Sequence, residues 1–236
     1  MSNLVTLDEY VTLPRPNLEW IVQDLIPRPG LILLLGEAKS GKSFLALQLA
    51  LAISKGEKFL NKTTTKSKVL FLQFDTSELV WRERMRKIQD AGVSLSSNIY
   101  MLHPATQPKG MNILDQKLNG YLRDAIRDCN PDVIIFDVLR EIHNGDEQDS
   151  TAMKMVGDQL MSLLDGRAGI VLHHPKKLGE LPPKVIDSAR GSSYLAGKAD
   201  AVWLLHQGIL HIESRLEHSE QHRAVRMENG LWRFPS

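Results

Sequence analysis

A short segment in the first fifth of the chain has the residue types and spacing of a phosphate-binding loop. Gly36 begins it, and Gly41, Lys42 and Ser43 end it, which fits the pattern Gly-x-x-x-x-Gly-Lys-Ser. Backbone N–H groups of such a loop curl around a phosphate at a helix N-terminus, and the glycines allow the close approach. Lys42 is expected to reach the β- and γ-phosphates of ATP. The predicted nucleotide contacts are Gly36, Glu37, Ala38, Lys39, Ser40, Gly41, Lys42, Ser43 and Phe44.

An acidic residue at the end of a later apolar run completes the expected nucleotide site. Asp137 comes directly after the apolar residues 133–136, at the C-terminal end of a predicted central strand. Ligands of open α/β sheets bind at this edge. An aspartate there holds Mg²⁺ together with the hydroxyl of the phosphate loop. We therefore predict Ser43 and Asp137 as the metal-binding residues, and ATP and Mg²⁺ as the cofactors.

Hydrolysis of ATP also needs a carboxylate that orients and deprotonates the attacking water. The segment after the strand predicted at 69–74 offers two, Asp75 and Glu78. Asp75 lies at the strand end, where the geometry suits a general base. Glu78 is either a second candidate for this base or the third residue of a capping box that Asp75 begins. The sequence leaves these alternatives open.

Two consecutive histidines, His173 and His174, follow the apolar run 169–172. A polar side chain at this strand end faces the γ-phosphate edge, so His173 is predicted to respond to the presence of that phosphate. Consecutive strand residues point to opposite faces of a sheet. The pair is therefore not expected to chelate one metal ion.

The stretch 175–198 has five basic and two acidic residues, a net charge of +3. It contains several glycines and prolines and is too long for a simple connector in a compact domain. A basic loop at the ligand edge suits contacts with a nucleic-acid backbone, although a merely solvated loop has the same composition. The predicted DNA contacts are Lys176, Lys177, Lys184 and Arg190. The basic residues within 82–87 are predicted to form a solvated helix face.

Strands and helices alternate over most of the chain. The pattern predicts strands at 31–35, 69–74, 99–102, 133–136, 169–172 and 201–205, and helices at 44–54, 78–91, 113–128 and 151–164. Such alternation is typical of βαβ units, so we predict an α/β fold with a mostly parallel sheet flanked by helices. An antiparallel C-terminal extension follows, with strands at 210–215, 223–227 and 231–234 and connectors at 217–221 and 228–230. Asn229-Gly230 is a strong hairpin signal.

The composition limits the classes of protein that fit. The chain has 236 residues, of which 42% are hydrophobic and 24% charged, and this excludes a disordered or fibrous chain. The formal net charge is only +1, so any basic surface must be local. The single cysteine, Cys129, cannot form an internal disulfide, and residues 1–10 lack the layout of a signal peptide. Both features favour a cytoplasmic protein.

Two regions are expected along the chain. Residues 1–29 contain four prolines and are predicted to form an irregular N-terminal arm that docks through the apolar patch 18–21. Residues 30–236 are predicted to form one α/β domain, because domains of this class often exceed 200 residues.

Together these motifs resemble the RecA-like ATPases, and most closely the plasmid RepA-type replicative helicases. The similar segments are 20–27, 39–50, 135–140, 173–177 and 188–193. The resemblance implies a RecA-like core, a hexameric ring of identical subunits, and ATP sites between the subunits. It also implies that the basic loop faces a central channel that holds single-stranded DNA.

The resemblance further implies that a neighbouring subunit supplies an arginine finger to the γ-phosphate, and Arg215 is the first candidate. The chain departs from the family at two positions. Asp75 stands where the family usually has glutamate, and Glu213 stands where related helicases have lysine two residues before the finger.

Two functions from different classes follow from the sequence. The first is an ATP-hydrolysing motor on single-stranded DNA, a ring-forming replicative helicase of a plasmid, phage or other mobile element. The second is an ATP-dependent switch or assembly factor that binds DNA, hydrolyses ATP weakly and unwinds nothing. A kinase for a small metabolite fits less well, because the segment 175–198 has one arginine where such a kinase needs an arginine-rich lid.

Overall fold

The computed structural model describes residues 4–14, 18–102, 112–147, 149–175, 184–189, 193–215 and 219–235. Their strands are β1 (Glu19–Val22), β2 (Ile26–Arg28), β3 (Gly30–Gly36), β4 (Val69–Gln73), β5 (Ile99–Met101), β6 (Val133–Asp137), β7 (Ala168–His173), β8 (Ala201–His206), β9 (Ile209–Ser214), β10 (Ser219–Arg223), β11 (Val225–Arg226) and β12 (Trp232–Arg233). Their α-helices are α1 (Leu7–Thr12), α2 (Lys42–Lys55), α3 (Glu78–Asp90), α4 (Gln116–Cys129), α5 (Ser150–Leu164) and α6 (Ser193–Lys198).

One large sheet organises the molecule, with the strand order β10-β9-β8-β3-β7-β6-β4-β5. The six strands from β8 to β5 run parallel, and β9 and β10 extend the sheet in antiparallel fashion. The central strand β3 is buried along its whole length, as its continuous run of leucine and isoleucine requires. The predicted mostly parallel α/β sheet with an antiparallel C-terminal extension is confirmed.

Helices cover both faces of the sheet. Ile32 and Leu34 of β3 face one hydrophobic cluster, which includes Leu45 and Leu49 of α2. The side chains of β3 that alternate with them face a second cluster, which includes residues of α4 and α5. Because α2 is apolar nearly all round, it lies deep in the first layer. None of the described helices is long and apolar enough to cross a membrane.

The carboxyl ends of four parallel strands meet at one edge of the sheet. β3, β7, β6 and β4 are neighbours in this order. Their register pairs Leu35 with His173 and Gln73 with Asp137. The phosphate loop after β3, the histidines after β7, Asp137 and the segment after β4 therefore lie side by side.

The prediction of an irregular arm at 1–29 is wrong for much of this segment. Strands β1 and β2 pair as an antiparallel hairpin, in which Val22 and Ile26 are fully buried in the core. Helix α1 begins with a capping box at Thr6 but has no buried residue. Within the predicted docking patch, Ile21 is buried and Leu18 is exposed. The arm is therefore partly built into the fold, because its apolar residues are numerous enough to form a hairpin.

The C-terminal extension contains a strand that sequence reasoning placed in a connector. Residues 219–221, predicted to join two strands, begin β10, which pairs with β9 along its whole length. Its side chains are polar and alternate between exposed and half-buried positions, so it lacks the apolar alternation of a predicted strand. The Asn229-Gly230 hairpin is confirmed by the pairing of β11 with β12.

Candidate nucleotide-binding site

The phosphate loop connects β3 to α2 in a conformation that requires its glycines. Gly41 has φ of 95°, in the left-handed region that residues with a Cβ rarely adopt. A Cβ added to Gly41 would lie 2.7 Å from Cζ2 of Trp232, and one added to Gly36 would lie 2.7 Å from Oγ of Ser40. The loop is therefore packed from both sides. Four residues follow Gly36 within it: Glu37, Ala38, Lys39 and Ser40.

Lys42 is a buried cation at the first turn of α2. Its side chain curls back so that Nζ donates hydrogen bonds to the backbone oxygens of Gly36 at 2.6 Å and Glu37 at 2.8 Å. Burial lowers the pKa of Lys42 to about 8, although the nearby Asp137 and Asp75 oppose the change. An ammonium group that has lost much of its hydration gains from an anionic ligand. The loop thus presents a positive charge where a phosphate is expected.

Ser43 and Asp137 meet as the sequence predicts. The hydroxyl of Ser43 donates a hydrogen bond to Oδ1 of Asp137 at 3.1 Å. Asp137 is 2% exposed, and its Oδ2 has no hydrogen-bond partner among the described residues. Burial raises the pKa of this carboxyl group to about 6, and the Ser43 hydrogen bond opposes that change.

This arrangement fits Mg²⁺. The ion prefers oxygen ligands and usually binds one or two carboxylates together with substrate phosphates and water. Asp137 offers a buried carboxylate oxygen without a partner among the described residues, and Ser43 offers a hydroxyl beside it. The described residues contain no cluster of three or more His, Cys, Asp or Glu side chains that suits a metal ion, so the substrate would have to supply the remaining ligands.

The two candidate bases occupy different environments. Asp75 is exposed and lines the cleft with Lys42 and Asp137. Glu78 begins α3 and forms an ion pair with Arg82 at 2.6 Å. The capping box proposed for Asp75 and Glu78 does not form, because Ser77 is the N-cap residue and makes no side-chain cap. Asp75 is thus the candidate that faces the nucleotide cleft.

The two histidines divide as adjacent strand residues do, but the cleft receives the second one. His174 lines the cleft, and its Nδ1 lies 3.4 Å from Nζ of Lys42. His173 is 2% exposed, and its Nδ1 has no hydrogen-bond partner among the described residues. Burial lowers the pKa of His173 to about 4. The sequence predicted His173 for the phosphate-facing role, and the structure brings His174 there instead.

Two arginines that sequence reasoning did not assign to the site also line the cleft. The guanidinium carbons of Arg84 and Arg226 lie 5.3 and 4.9 Å from the ring centre of Phe44, so Phe44 is flanked by two cations. Arg84 also donates a hydrogen bond to Oγ1 of Thr76 at 3.2 Å. No salt bridge to a carboxylate is found for either guanidinium within the described residues. The prediction of a solvated face is wrong for Arg84.

The C-terminal hairpin holds Arg226 in place through Trp232. Nε1 of Trp232 donates a hydrogen bond to the backbone oxygen of Gly41 at 3.2 Å. Its backbone exchanges two hydrogen bonds with the side chain of Gln48, at 2.8 and 2.9 Å. A Cβ on Gly230 would collide with the ring of Phe44, so glycine is required there. The end of the chain thus packs directly on the phosphate loop.

Arg215 lies far from the cleft of its own chain. It follows β9, and its backbone N–H donates to the oxygen of Asp200 at 2.8 Å, while Oδ2 of Asp200 accepts from Leu31 at the start of β3. The phosphate loop begins at the other end of β3, about 16 Å away at 3.3 Å per strand residue. Arg215 therefore emerges at the sheet edge opposite the cleft.

The predicted DNA-contacting residues fall mostly outside the described residues. Lys176, Lys177 and Arg190 lie outside them. Lys184 is exposed and directly precedes a 3₁₀ helix at Val185–Ala189. The segment enters at Pro175 beside the cleft and leaves at Lys184.

Comparison with known proteins agrees with this geometry. The model of the AAA_25 family, an AAA domain, matches residues 2–180. No curated protein matches the chain. The solved ATPase domain of a phage helicase superposes with a TM-score of 0.61 at 15% identity, over 86% of this chain and 84% of that one. The KaiC-like protein PH0186 from Pyrococcus horikoshii OT3 superposes with a TM-score of 0.53 at 13% identity, over 90% of this chain and 93% of that one. The fold is that of a RecA-like P-loop ATPase.

Proposed function

This chain belongs to the AAA_25 family, and we propose that it is an ATP-hydrolysing motor that acts on single-stranded DNA. We propose further that it works as a hexameric, ring-forming replicative helicase of a plasmid, phage or other mobile element. The observation that carries the proposal is the grouping of Lys42, Ser43 and Asp137 at one sheet edge, with Arg215 at the opposite edge.

The phosphate loop supplies the binding energy for the triphosphate. Its backbone N–H groups bind phosphate oxygens at the start of α2, and Lys42 exchanges its two carbonyl partners for the β- and γ-phosphates. Ser43 and Asp137 hold Mg²⁺, which when bound neutralises charge on the phosphates. Because Lys42 and Asp137 are already buried and placed, little reorganisation accompanies ATP binding.

Asp75 is the proposed general base. It faces the cleft, whereas Glu78 is paired with Arg82. A carboxylate at this position accepts a hydrogen bond from the attacking water and takes its proton. His174, beside Lys42, lies where a side chain can contact the γ-phosphate.

Arg84 and Arg226 supply further positive charge from the same chain. Both line the cleft, and Phe44 lies between them. Guanidinium groups bind phosphate oxygens with two parallel hydrogen bonds and also stack on flat rings. We propose that one or both contact the bound nucleotide.

A second copy of the chain is needed to complete the site. Arg215 emerges at the edge opposite its own cleft, so its guanidinium serves as an arginine finger only for a neighbouring subunit. Head-to-tail contacts of this kind close into rings when the rotation between subunits permits it. Within the ring, the segment with Lys176, Lys177, Lys184 and Arg190 is proposed to contact the phosphate backbone of single-stranded DNA.

The test compares Lys42→Ala with the wild type and with Lys58→Ala, an exposed lysine of the same domain. We expect Lys42→Ala to lower DNA-stimulated ATP turnover by at least about a hundredfold, the scale of losing one charge-stabilising group, and Lys58→Ala to match the wild type. Wild-type turnover in Lys42→Ala would contradict the site. Wild-type turnover without unwinding of a forked duplex would contradict the helicase assignment and leave the ATPase intact.

A second function, an ATP-dependent switch or assembly factor on DNA, is favoured by one observation. Asp75 is the candidate base that faces the cleft, and its side chain is one methylene shorter than glutamate, so its carboxylate lies further from the attacking water. Turnover measured per subunit with and without single-stranded DNA separates the two functions. A switch retains DNA in the presence of ATP, shows little DNA stimulation and unwinds no duplex.

A further inference from the structure

Glu213 makes a contact that ties two distant parts of the chain together. It lies on β9, and its Oε2 accepts a hydrogen bond from the backbone N–H of Ile186 at 3.2 Å. Ile186 belongs to the 3₁₀ helix at Val185–Ala189, directly after Lys184. The contact is partly buried, so it is less exposed to competition from water than a surface hydrogen bond.

The contact explains why a carboxylate suits this position. The N–H groups in the first turn of a helix have no partner within the helix, and a partly buried donor without an acceptor is costly. Glu213 supplies the acceptor for Ile186. A lysine at the same place has only donors and cannot make this hydrogen bond.

The position of Glu213 in β9 gives the contact its significance. Arg215 follows it by two residues, and the Arg215 backbone is itself fixed by the hydrogen bond to Asp200. The 3₁₀ helix packs on both β8 and β9. The C-terminal end of the basic segment is therefore anchored to the strand that carries the proposed arginine finger.

The opposite end of that segment is fixed in a different place. His174, just before Pro175, lies 3.4 Å from Lys42 in the chain's own cleft. Lys184, at the far end, is exposed and one residue from the 3₁₀ helix that Glu213 holds. One end thus adjoins the nucleotide site of its own chain, and the other adjoins the strand that points to a neighbour.

We infer that Glu213 is a positioning residue for DNA binding: by holding the amide of Ile186, it fixes Lys184 relative to the strand that carries Arg215. The inference rests on the proposed function, since it takes the basic segment as the DNA contact. Glu213 contacts neither ATP nor DNA in this role. It acts through the backbone of the segment 184–189.

The experiment compares the wild type with Glu213→Ala, Glu213→Gln and Glu213→Lys. The glutamine oxygen still accepts the hydrogen bond, whereas alanine and lysine do not. Glu19→Ala, an exposed glutamate on β1, is the matched control. Two quantities are measured on full-length protein: hydrogen–deuterium exchange of the segment 184–189, and the concentration of single-stranded DNA that gives half-maximal ATPase stimulation.

We expect exchange of the segment 184–189 to become about three- to tenfold faster in Glu213→Ala and Glu213→Lys, the effect of losing one hydrogen bond. The half-saturating DNA concentration should rise by about the same factor, while turnover at saturating DNA falls less than twofold. Glu213→Gln should stay close to the wild type in both measurements, as should Glu19→Ala.

Three results would overturn parts of this reasoning. Wild-type exchange in Glu213→Ala would show that the hydrogen bond does not hold the segment. Faster exchange with an unchanged half-saturating DNA concentration would refute the positioning role. A wild-type ATPase that does not respond to DNA would refute the proposed function itself, and the exchange comparison would still decide whether Glu213 anchors Ile186.

Discussion

His173 should make the folding stability of this protein depend on pH in a way that a single substitution removes. The side chain is 2% exposed, and burial lowers its pKa from 6.5 to about 4, with smaller effects from His174, His143 and Lys42. The folded protein therefore keeps His173 neutral where the unfolded chain protonates it. Above pH 6.5 both states are neutral and the residue contributes no pH dependence. As pH falls from 6.5 toward 4, the unfolded state gains protons first, so stability is lost.

The size of the effect follows from the two pKa values. With pKa values of 6.5 unfolded and about 4 folded, the loss at pH 5 is about 2 kcal/mol relative to pH 8, and it approaches about 3 kcal/mol at still lower pH. His173→Gln and His173→Asn do not titrate and escape this loss. The free energy of unfolding of either variant, minus that of the wild type, should therefore rise by about 2 kcal/mol between pH 8 and pH 5.

The assay is urea unfolding of nucleotide-free protein at pH 8, 7, 6 and 5, followed by tryptophan fluorescence. Subtraction of the wild-type curve removes the acid destabilisation caused by all other groups, provided that the unfolding slope m is unchanged. Both variants must show the same rise, because glutamine and asparagine differ in packing but not in charge. A difference that stays constant from pH 8 to pH 5 would refute the burial of a neutral His173.

Four further predictions test the cleft. Gly41→Ala should weaken binding of a fluorescent ATP analogue more than tenfold, because Gly41 has φ of 95° and no room for a Cβ; unchanged affinity would contradict this. Trp232→Phe should lower the free energy of unfolding by about 1 kcal/mol through loss of the bond to Gly41, and Trp232→Ala by about 3 kcal/mol or more, both measured by urea unfolding. Asp75→Glu should raise DNA-stimulated turnover several-fold, and equal or lower turnover would count against Asp75 as the base. Lys42→Ala and Arg215→Ala chains, inactive alone, should recover about a quarter of the wild-type rate when mixed, since a random neighbour completes about one site in four.

Much of the site was predictable because its signals are local. The phosphate loop lies within one strand–turn–helix unit, so its spacing alone indicates its shape. Asp137 ends a buried run, and neighbouring parallel strands bring their carboxyl ends to one edge. The same rule placed Asp75 and the two histidines at the cleft. It did not give the phase of alternation, so His173 was predicted for the place that His174 occupies.

The remaining parts of the site depend on tertiary packing. Arg82 and Arg86 pair with glutamates on α3 and stay exposed, as a solvated face requires. Arg84 lies between them in sequence but contacts Phe44 on another helix. Arg226 and Trp232 reach the loop from the far end of the chain. No periodicity within α3 or the hairpin distinguishes these residues, because the partner that decides their orientation is remote in sequence.

The arrangement of charges makes the mixing experiment decisive between the two functions. Arg84 and Arg226 come from the same chain as the phosphate loop, so they bind ATP equally well before and during hydrolysis unless they move. Binding that is equal in the ground state and the transition state does not accelerate the reaction. A finger that arrives from a neighbour can act late, and Arg215 is placed for this at the opposite edge. Recovery of activity on mixing therefore supports a motor, whereas its absence leaves a chain that holds ATP firmly and turns it over slowly.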